Sequence, residues 1–210
     1  MKKLSSTSRL SYKKFTLQRV VEQFDLKTRI SESLCKNIIP RTPSPLLKEM
    51  LEENLPLALA IGTEKAKSEL LIMPILVEVR KLADRKISIF SGIEFNVEPE
   101  SGLKGICDFL ISKSDEQYVL RSPVAAVVEA KKGEIEIGIG QCAAEMIAAR
   151  KFNDIHGSDN RNIWGVVTTG TNWKFLLLTE KQLTIQADEM PIDYIDKILG
   201  MFLNMIQGMC

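Results

Sequence analysis

The alternation of apolar and polar positions divides the chain into a helical first part and a strand-rich centre. Five apolar runs have strand character: residues 86–97, 105–113, 124–131, 163–169 and 173–178. Only short polar links separate the first three, and short links favour antiparallel pairing of sequential strands. The last two are joined by Gly170-Thr-Asn172, a hairpin signal. The pattern therefore predicts three antiparallel neighbours followed by a hairpin.

Apolar residues at helical spacing predict helices on both sides of these strands. The predicted helical segments are 46–54, 57–85, 141–152 and 192–206. We expect Pro56 to interrupt the first, and Pro74 either to kink the second or to start a new helix, because proline removes a backbone donor. The glycines of residues 133–140 predict a connection, so that Gln141 begins the third helix. The apolar stripe of the fourth is core or a homodimer interface.

The N-terminal part of the chain has a weaker pattern. Residues 15–30 alternate weakly and fit either a strand or a short helix that docks on the body. Residues 40–45 contain three prolines and predict a linker. We therefore divide the chain into a basic N-terminal segment with a Pro-rich linker, 1–45, and one domain, 46–210. The order of elements in that domain predicts the α/β class, with a central mixed β-sheet flanked by helices.

Composition restricts the cellular setting and the chemistry. The chain has 210 residues, of which 45% are hydrophobic and 26% charged, and it has no apolar stretch of the roughly 18 residues that a membrane span requires. We expect a cytoplasmic protein without a membrane partner. The four cysteines are scattered, which indicates no zinc site and no recognisable disulfide framework. The single histidine, His156, lies in a polar stretch typical of an exposed loop.

The net charge of +1 conceals an asymmetry between the two parts of the chain. Residues 1–41 carry ten basic and three acidic side chains, whereas residues 42–210 carry 18 basic and 24 acidic ones. A basic arm on an acidic body suits attraction to a phosphate backbone. A solubilising tail explains the same charge pattern equally well.

Three charged residues interrupt the apolar strands: Asp108, Glu129 and Lys131. Charge is normally avoided in such strands, so these side chains are candidates for a function. Glu129 and Lys131 are two positions apart and share one face of their strand. If the Asp108 strand pairs beside them, the two carboxylates and the backbone carbonyl of Ala130 form a set of oxygen donors suited to Mg²⁺ or Mn²⁺. Such an ion activates water, which Lys131 would orient or help to deprotonate.

Two further residues are candidates for the same site. Glu69 lies in the helical segment before the strands, from which it could reach the metal directly or through water; an ordinary exposed acid is the alternative. Gln141, ten positions after Lys131, could contact a phosphate or hold a neighbouring side chain, and Glu145 follows one turn later on the same face. The alternative for Gln141 is a residue that merely begins a helix.

The order of Glu69, Asp108, Glu129-Ala-Lys131 and Gln141 resembles the PD-(D/E)xK nuclease superfamily. The resemblance covers residues 57–178 and implies a restriction-endonuclease-like αβββαβ core. It also implies one or two divalent ions held by Asp108, Glu129 and the Ala130 carbonyl, and hydrolysis of phosphodiester bonds with help from Lys131. The segment Gly105-Ile-Cys-Asp108 lacks the proline of the motif but is similar to the Gly-x-x-Asp form of RecB-like members.

Two hypotheses for function follow from these residues. The first is a metal-dependent nuclease that hydrolyses nucleic acid, DNA in preference to RNA. The second is a catalytically inactive member that uses the same sheet to bind nucleic acid or a protein partner. The acidic body supports the second, because active nucleases need electrostatic attraction to their substrate. A small-molecule enzyme has little support, since the glycines form no phosphate-binding fingerprint.

Overall fold

A computed structural model describes residues 10–210 as an α/β fold. The elements in chain order are α1 (Leu17–Phe24), β1 (Lys27–Ser31), α2 (Pro45–Ile61), α3 (Glu64–Lys67), a π-helical turn (Ser68–Ile72), α4 (Met73–Leu82), β2 (Ser88–Glu94), β3 (Ile106–Ser112), β4 (Val124–Ala130), α5 (Ile135–Ile155), β5 (Ile163–Thr168), β6 (Asn172–Thr179), β7 (Gln182–Gln186), β8 (Met190–Pro191) and α6 (Ile195–Gln207). Short 3₁₀ turns occur at 12–14, 99–101 and 192–194.

The strands form one mixed sheet of eight strands in the order β1-β7-β6-β5-β4-β3-β2, with β8 paired to β6. β2, β3 and β4 are antiparallel neighbours, and β5 and β6 form an antiparallel hairpin, as the apolar runs predict. β4 pairs with β5 in parallel, so the C-terminal ends of these two central strands lie side by side. The predicted central mixed sheet flanked by helices is confirmed.

Helices cover both faces of the sheet. On one face α5 packs with α1 over a core that includes Val127, Ile147 and Leu176. On the other face α4 and α6 cover a second core that includes Phe109, Val128 and Phe202. The predicted apolar stripe of α6 is buried in this second core, so it serves the fold of a single chain. No helix within residues 10–210 combines the length and apolarity needed to cross a membrane.

The predicted helix boundaries at Pro56, at residue 57 and at Gln141 are wrong: the break falls at residues 62–63, the second helical segment begins at Glu64, and α5 starts before Gln141. Tertiary packing explains the first and the last. α2 continues through Pro56 to Ile61, because Ala58 beyond the proline is buried and Asn54 Nδ2 donates to the Leu70 carbonyl at 2.9 Å. α5 begins at Ile135 instead of Gln141, so the predicted glycine-rich connection is the first two turns of the helix.

The glycines of α5 are there because other chain segments approach the helix closely. A Cβ on Gly140 would lie 2.4 Å from the Thr16 carbonyl carbon, and a Cβ on Gly138 would lie 2.6 Å from Val167 Cγ1. At Gly140 the atoms in the way are backbone, so a side chain there would require the N-terminal segment to move, whereas at Gly138 they are side-chain atoms. In this helix glycine therefore marks contact, and its cost in helix propensity of about 1 kcal/mol is offset by packing.

The N-terminal segment is integrated with the body from Leu10 onward. Leu10, Tyr12 and Phe15 are buried in the α5-side core, and β1 is an edge strand of the sheet. Both alternatives for residues 15–30, a helix and a strand, occur there in succession. Residues 1–9 of the predicted basic segment lie outside the described part of the chain.

The strap of residues 32–44 runs from β1 to α2 across α6. A Cβ on Gly200 of α6 would lie 2.3 Å from the Ile39 carbonyl oxygen, and Asn204 Nδ2 donates to the Asn37 carbonyl at 2.9 Å. A disulfide between Cys35 and Cys210, which the cysteine spacing does not indicate, ties the strap to the residues after α6. The predicted Pro-rich linker is thus a packed connection.

Candidate metal centre

The candidate site forms where β3 and β4 separate. Their backbone pairing ends at Phe109 and Val128. The next N–H of β4 that points towards β3, that of Ala130, therefore has no backbone partner on β3. Asp108 supplies the missing acceptor: its Oδ2 accepts from Ala130 N at 2.8 Å. The N–H and C=O of one strand residue point to the same side, so the Ala130 carbonyl also points towards Asp108. The gap between the strands therefore collects oxygen donors.

Glu129 of β4 is a second carboxylate, close enough to Asp108 for the two charges to interact. β4 is buried along its whole length, and the Glu129 side chain is only 1% exposed. Oε1 accepts from Lys131 Nζ, whereas Oε2 is buried and has no hydrogen-bond partner in the described chain. A buried carboxylate oxygen without a partner is unfavourable by itself and marks a position at which a ligand is expected.

Lys131 connects β4 with α5. Its backbone N–H donates to the Thr168 carbonyl at 2.8 Å and so continues the parallel pairing with β5. Its ammonium donates to Glu129 and to Gln141 Oε1, the latter at 3.3 Å. A Cβ on Gly138 would lie 3.0 Å from both Cγ and Cε of Lys131, so the glycine makes room for the lysine stem.

Gln141 and Glu145 extend the network into α5. Gln141 Nε2 donates to Glu145 Oε1 at 3.1 Å, and both side chains are buried. Because α5 begins at Ile135, Gln141 lies in its second turn, which puts it beside Lys131 instead of at the helix end. The structure thus brings together Glu129, Lys131 and Gln141, in agreement with the proximity that the sequence suggests.

Two acids of the preceding helical segment lie at the mouth of the site. A cavity of about 260 Å³ opens onto Asp108, and its walls include Glu64 and Glu69. The Glu69 side chain is 64% exposed and pairs with Lys65 at 3.8 Å. Glu64, which the sequence analysis does not select, acts electrostatically on both Glu129 and Lys131. The predicted role of Glu69 stays a prediction, and Glu64 joins it as a candidate.

The residues before Glu64 mark, in the sequence itself, the end of one helix and the start of the next. Gly62 ends α2 in a left-handed conformation, and Thr63 Oγ1 caps α3 by accepting from Ala66 N at 3.1 Å. The run Gly62-Thr-Glu64 is therefore a helix stop followed by an N-cap. Its first helical residue, Glu64, points into the region of the site.

Electrostatic effects at the site agree with this crowding of acids. Burial, and then the charge of Asp108, raise the pKa of Glu129 to about 8 even though Lys131 opposes the shift. Burial disfavours the charged form of Lys131, but attraction by Glu129 and the other acids outweighs it, and the pKa of Lys131 is raised. Burial and the charge of Glu129 also raise the pKa of Glu145 well above its ordinary value. An added cation would relieve this repulsion.

The oxygen groups of Asp108, Glu129 and Ala130 are of the kind that hard cations accept as ligands. No group of three or more His, Cys, Asp and Glu side chains within residues 10–210 is arranged to hold a metal ion. The protein donors are instead two carboxylates, Asp108 and Glu129, and the Ala130 carbonyl. Mg²⁺ typically binds through one or two carboxylates together with water and phosphate oxygens. The unpartnered Glu129 Oε2 supplies the observation that a cation would satisfy.

Comparison of the sequence with protein-family models and with curated proteins finds no match.

Proposed function

We propose that this chain is a Mg²⁺- or Mn²⁺-dependent nuclease that hydrolyses phosphodiester bonds, with DNA a better substrate than RNA. The observation that carries the proposal is a pair of neighbouring carboxylates on β3 and β4: Asp108 accepts from the Ala130 N–H, and the buried Glu129, whose pKa Asp108 helps to raise, has an oxygen without a partner. The order of α4, three antiparallel strands, α5 and the parallel β5 also agrees with the restriction-endonuclease-like core that the motif implies.

Each residue has a role that its position allows. Asp108, Glu129 and the Ala130 carbonyl would hold the ion, with Glu64 or Glu69 reaching it through water. When bound, the ion supplies Lewis-acid activation of water and of a phosphate oxygen. Lys131 would orient the attacking water and offset the negative charge that develops on the phosphate. Gln141 holds the Lys131 ammonium in place through its carbonyl.

A catalytically inactive binding protein is the second candidate function, because one specific observation favours it. Lys131 Nζ already occupies Oε1 of Glu129, so half of the carboxylate is neutralised without a metal. In such a protein the ion pair would replace the cation, and the sheet edge would bind nucleic acid or a protein partner without cleaving it.

The test is cleavage by the purified full chain. Single-stranded, double-stranded and branched DNA and RNA are each incubated with Mg²⁺ or Mn²⁺, using wild type, Lys131→Ala and the control Lys132→Ala. Lys132 is the exposed neighbour and loses the same charge. We expect Lys131→Ala to lose about 100-fold or more, the usual effect of one transition-state donor, and the control to remain within about threefold. Equal cleavage by wild type and Lys131→Ala, or no cleavage of any substrate, contradicts the nuclease.

Calorimetric titration with Mn²⁺ then separates the two candidates. A nuclease binds Mn²⁺ in the wild type and binds it less tightly in Asp108→Asn, because the variant removes one carboxylate donor. A binding protein gives no heat with Mn²⁺, and its affinity for nucleic acid is unchanged by Asp108→Asn.

A further inference from the structure

Glu145 is a fully buried acid that the nuclease proposal does not use. It lies on α5 with a side-chain exposure of 0%. Its Oε1 accepts from Gln141 Nε2 at 3.1 Å, and its Oε2 is buried without a hydrogen-bond partner among residues 10–210. Transferring a carboxyl group from water into a protein core is costly, and an apolar side chain of similar size would fill the same space at no such cost. An acid at this position therefore requires a reason.

The hydrogen bonds of Gln141 give that reason. An amide has a donor end and an acceptor end, and rotation by half a turn exchanges them. In this site the acceptor end must face Lys131, because an ammonium group only donates. The donor end then faces Glu145, and a carboxyl oxygen at that point accepts from it. Glu145 thus favours one of the two amide orientations and disfavours the other.

We propose that Glu145 is a positioning residue: it fixes the Gln141 amide so that the amide carbonyl holds the Lys131 ammonium beside Glu129. The catalytic consequence rests on the proposed nuclease function, whereas the orientation of the amide is a property of the folded chain alone. Without Glu145 only Lys131 selects the orientation of the amide, and a turn of the NH₂ group towards the ammonium would repel Lys131 from its place in the site.

Burial and the charge of Glu129 raise the pKa of Glu145 although Lys131 opposes the shift, so the contact that an acid supplies at this position is the hydrogen bond to Gln141. Cys107, Cys142 and Tyr12 act electrostatically with Glu145, and each has its pKa raised by burial first, as does Glu145 itself. No basic side chain lies among its hydrogen-bond partners in the described chain. A neutral acid keeps its carbonyl oxygen as an acceptor, and glutamine reproduces that oxygen. Glu145→Gln is therefore the conservative variant, and Glu145→Leu removes the acceptor at similar volume.

The experiment measures amide geometry and catalysis separately in the full chain. ¹⁵N NMR follows the side-chain NH₂ group of Gln141, assigned by its loss in Gln141→Leu, and steady-state kinetics follow DNA cleavage with Mg²⁺. Asp154→Asn, an exposed acid at the far end of α5, is the matched control. If Glu145→Leu does not fold, Glu145→Ala gives the same comparison.

We expect Glu145→Leu to shift the Gln141 amide resonances and to accelerate their exchange with solvent, while Glu145→Gln and the control stay near wild type. In cleavage, Glu145→Leu should lose about tenfold or more in kcat at unchanged KM, equivalent to one lost hydrogen bond, and Glu145→Gln should stay within about threefold. Unchanged amide resonances in Glu145→Leu overturn the proposal, and so does equal loss of kcat in the Gln and Leu variants. If Glu145→Leu alters the Gln141 amide resonances but the wild type cleaves no DNA, the nuclease function is overturned and the positioning role remains established.

Discussion

Replacing Glu129 by glutamine should change how the stability of the protein depends on pH. Glu129 is 1% exposed, and its pKa is raised from 4.5 to about 8 by burial, and then by the charge of Asp108. Below about pH 8 the folded chain therefore holds a proton on Glu129 that the unfolded chain releases at lower pH, and above it Glu129 is the charged partner of Lys131. Glutamine has nearly the same shape and never ionises, so the variant isolates the contribution of this one proton.

The direction and size of the effect follow from linkage. A folded-state pKa above the unfolded one means that stability is fully present below pH 4.5 and falls as the pH rises to about 8. Each pKa unit is equivalent to about 1.36 kcal/mol, so a shift of this size reaches roughly 5 kcal/mol once the pH exceeds 8. Relative to wild type, Glu129→Gln should become progressively more stable as the pH rises from 4.5 to about 8. Above that pH the difference in unfolding free energy should stay constant.

Urea unfolding between pH 5 and 9 in the presence of a chelator measures the difference. We expect the gap in unfolding free energy between variant and wild type to widen by up to about 1.4 kcal/mol for each pH unit. Added Mg²⁺ should narrow the gap, since the ion favours the carboxylate of the wild type. Glu136→Gln, which removes an exposed acid from the first turn of α5, should give a profile parallel to wild type. Parallel profiles for Glu129→Gln as well would refute the reasoning.

Two further predictions concern the packing that holds the site. Gly140→Ala should lower the unfolding free energy, measured in urea, by about 1–3 kcal/mol, because the added Cβ meets backbone atoms of the N-terminal segment. The control Gly133→Ala, whose Cβ would have nothing within 4 Å, should not destabilise the fold. Equal losses in the two variants would contradict this explanation. Asn153→Ala should cost about 2–4 kcal/mol in the same assay, since the buried Asn153 amide bonds both the N–H and the C=O of Val124 at 2.8 Å. An Asn160→Ala variant, at a partly buried side chain with local bonds only, sets the baseline, and a matching small loss in Asn153→Ala would argue against the anchor.

The sequence predicts the centre of the sheet well and its edge poorly. The buried strands β3 and β4 have continuous apolar runs because helices cover both faces. β1 gives no such pattern, since four of its five residues are exposed and only its pairing with β7 makes it a strand. The start of α5 is missed for a related reason: propensity counts Gly138 and Gly140 against a helix, whereas the contacts that require them come from residues far away in sequence.

The candidate site is predictable to the same extent as its strands. Asp108, Glu129 and Lys131 stand out because charge inside an apolar strand is rare. Which helical acid reaches them depends on the rotation of the helix, and the π-helical turn at 68–72 alters that rotation in a way that no spacing rule anticipates. The spacing of four residues puts Glu145 on the same helix face as Gln141, but its complete burial follows from the position of α5 over the sheet, which the sequence does not show.

The placement of the basic N-terminal charges bears on how a substrate would be held. From Leu10 onward the segment is part of the core, so Lys13 and Lys14 are exposed on a turn packed against α5, the helix that carries Gln141. A fixed basic surface binds phosphate with less loss of conformational entropy than a flexible tail does. The acidic composition of residues 42–210 therefore does not leave the α5 side of the site without positive charge. These two lysines weaken the electrostatic argument for an inactive binding protein, and the Lys131–Glu129 ion pair is then the observation that bears most directly on the choice between the two functions.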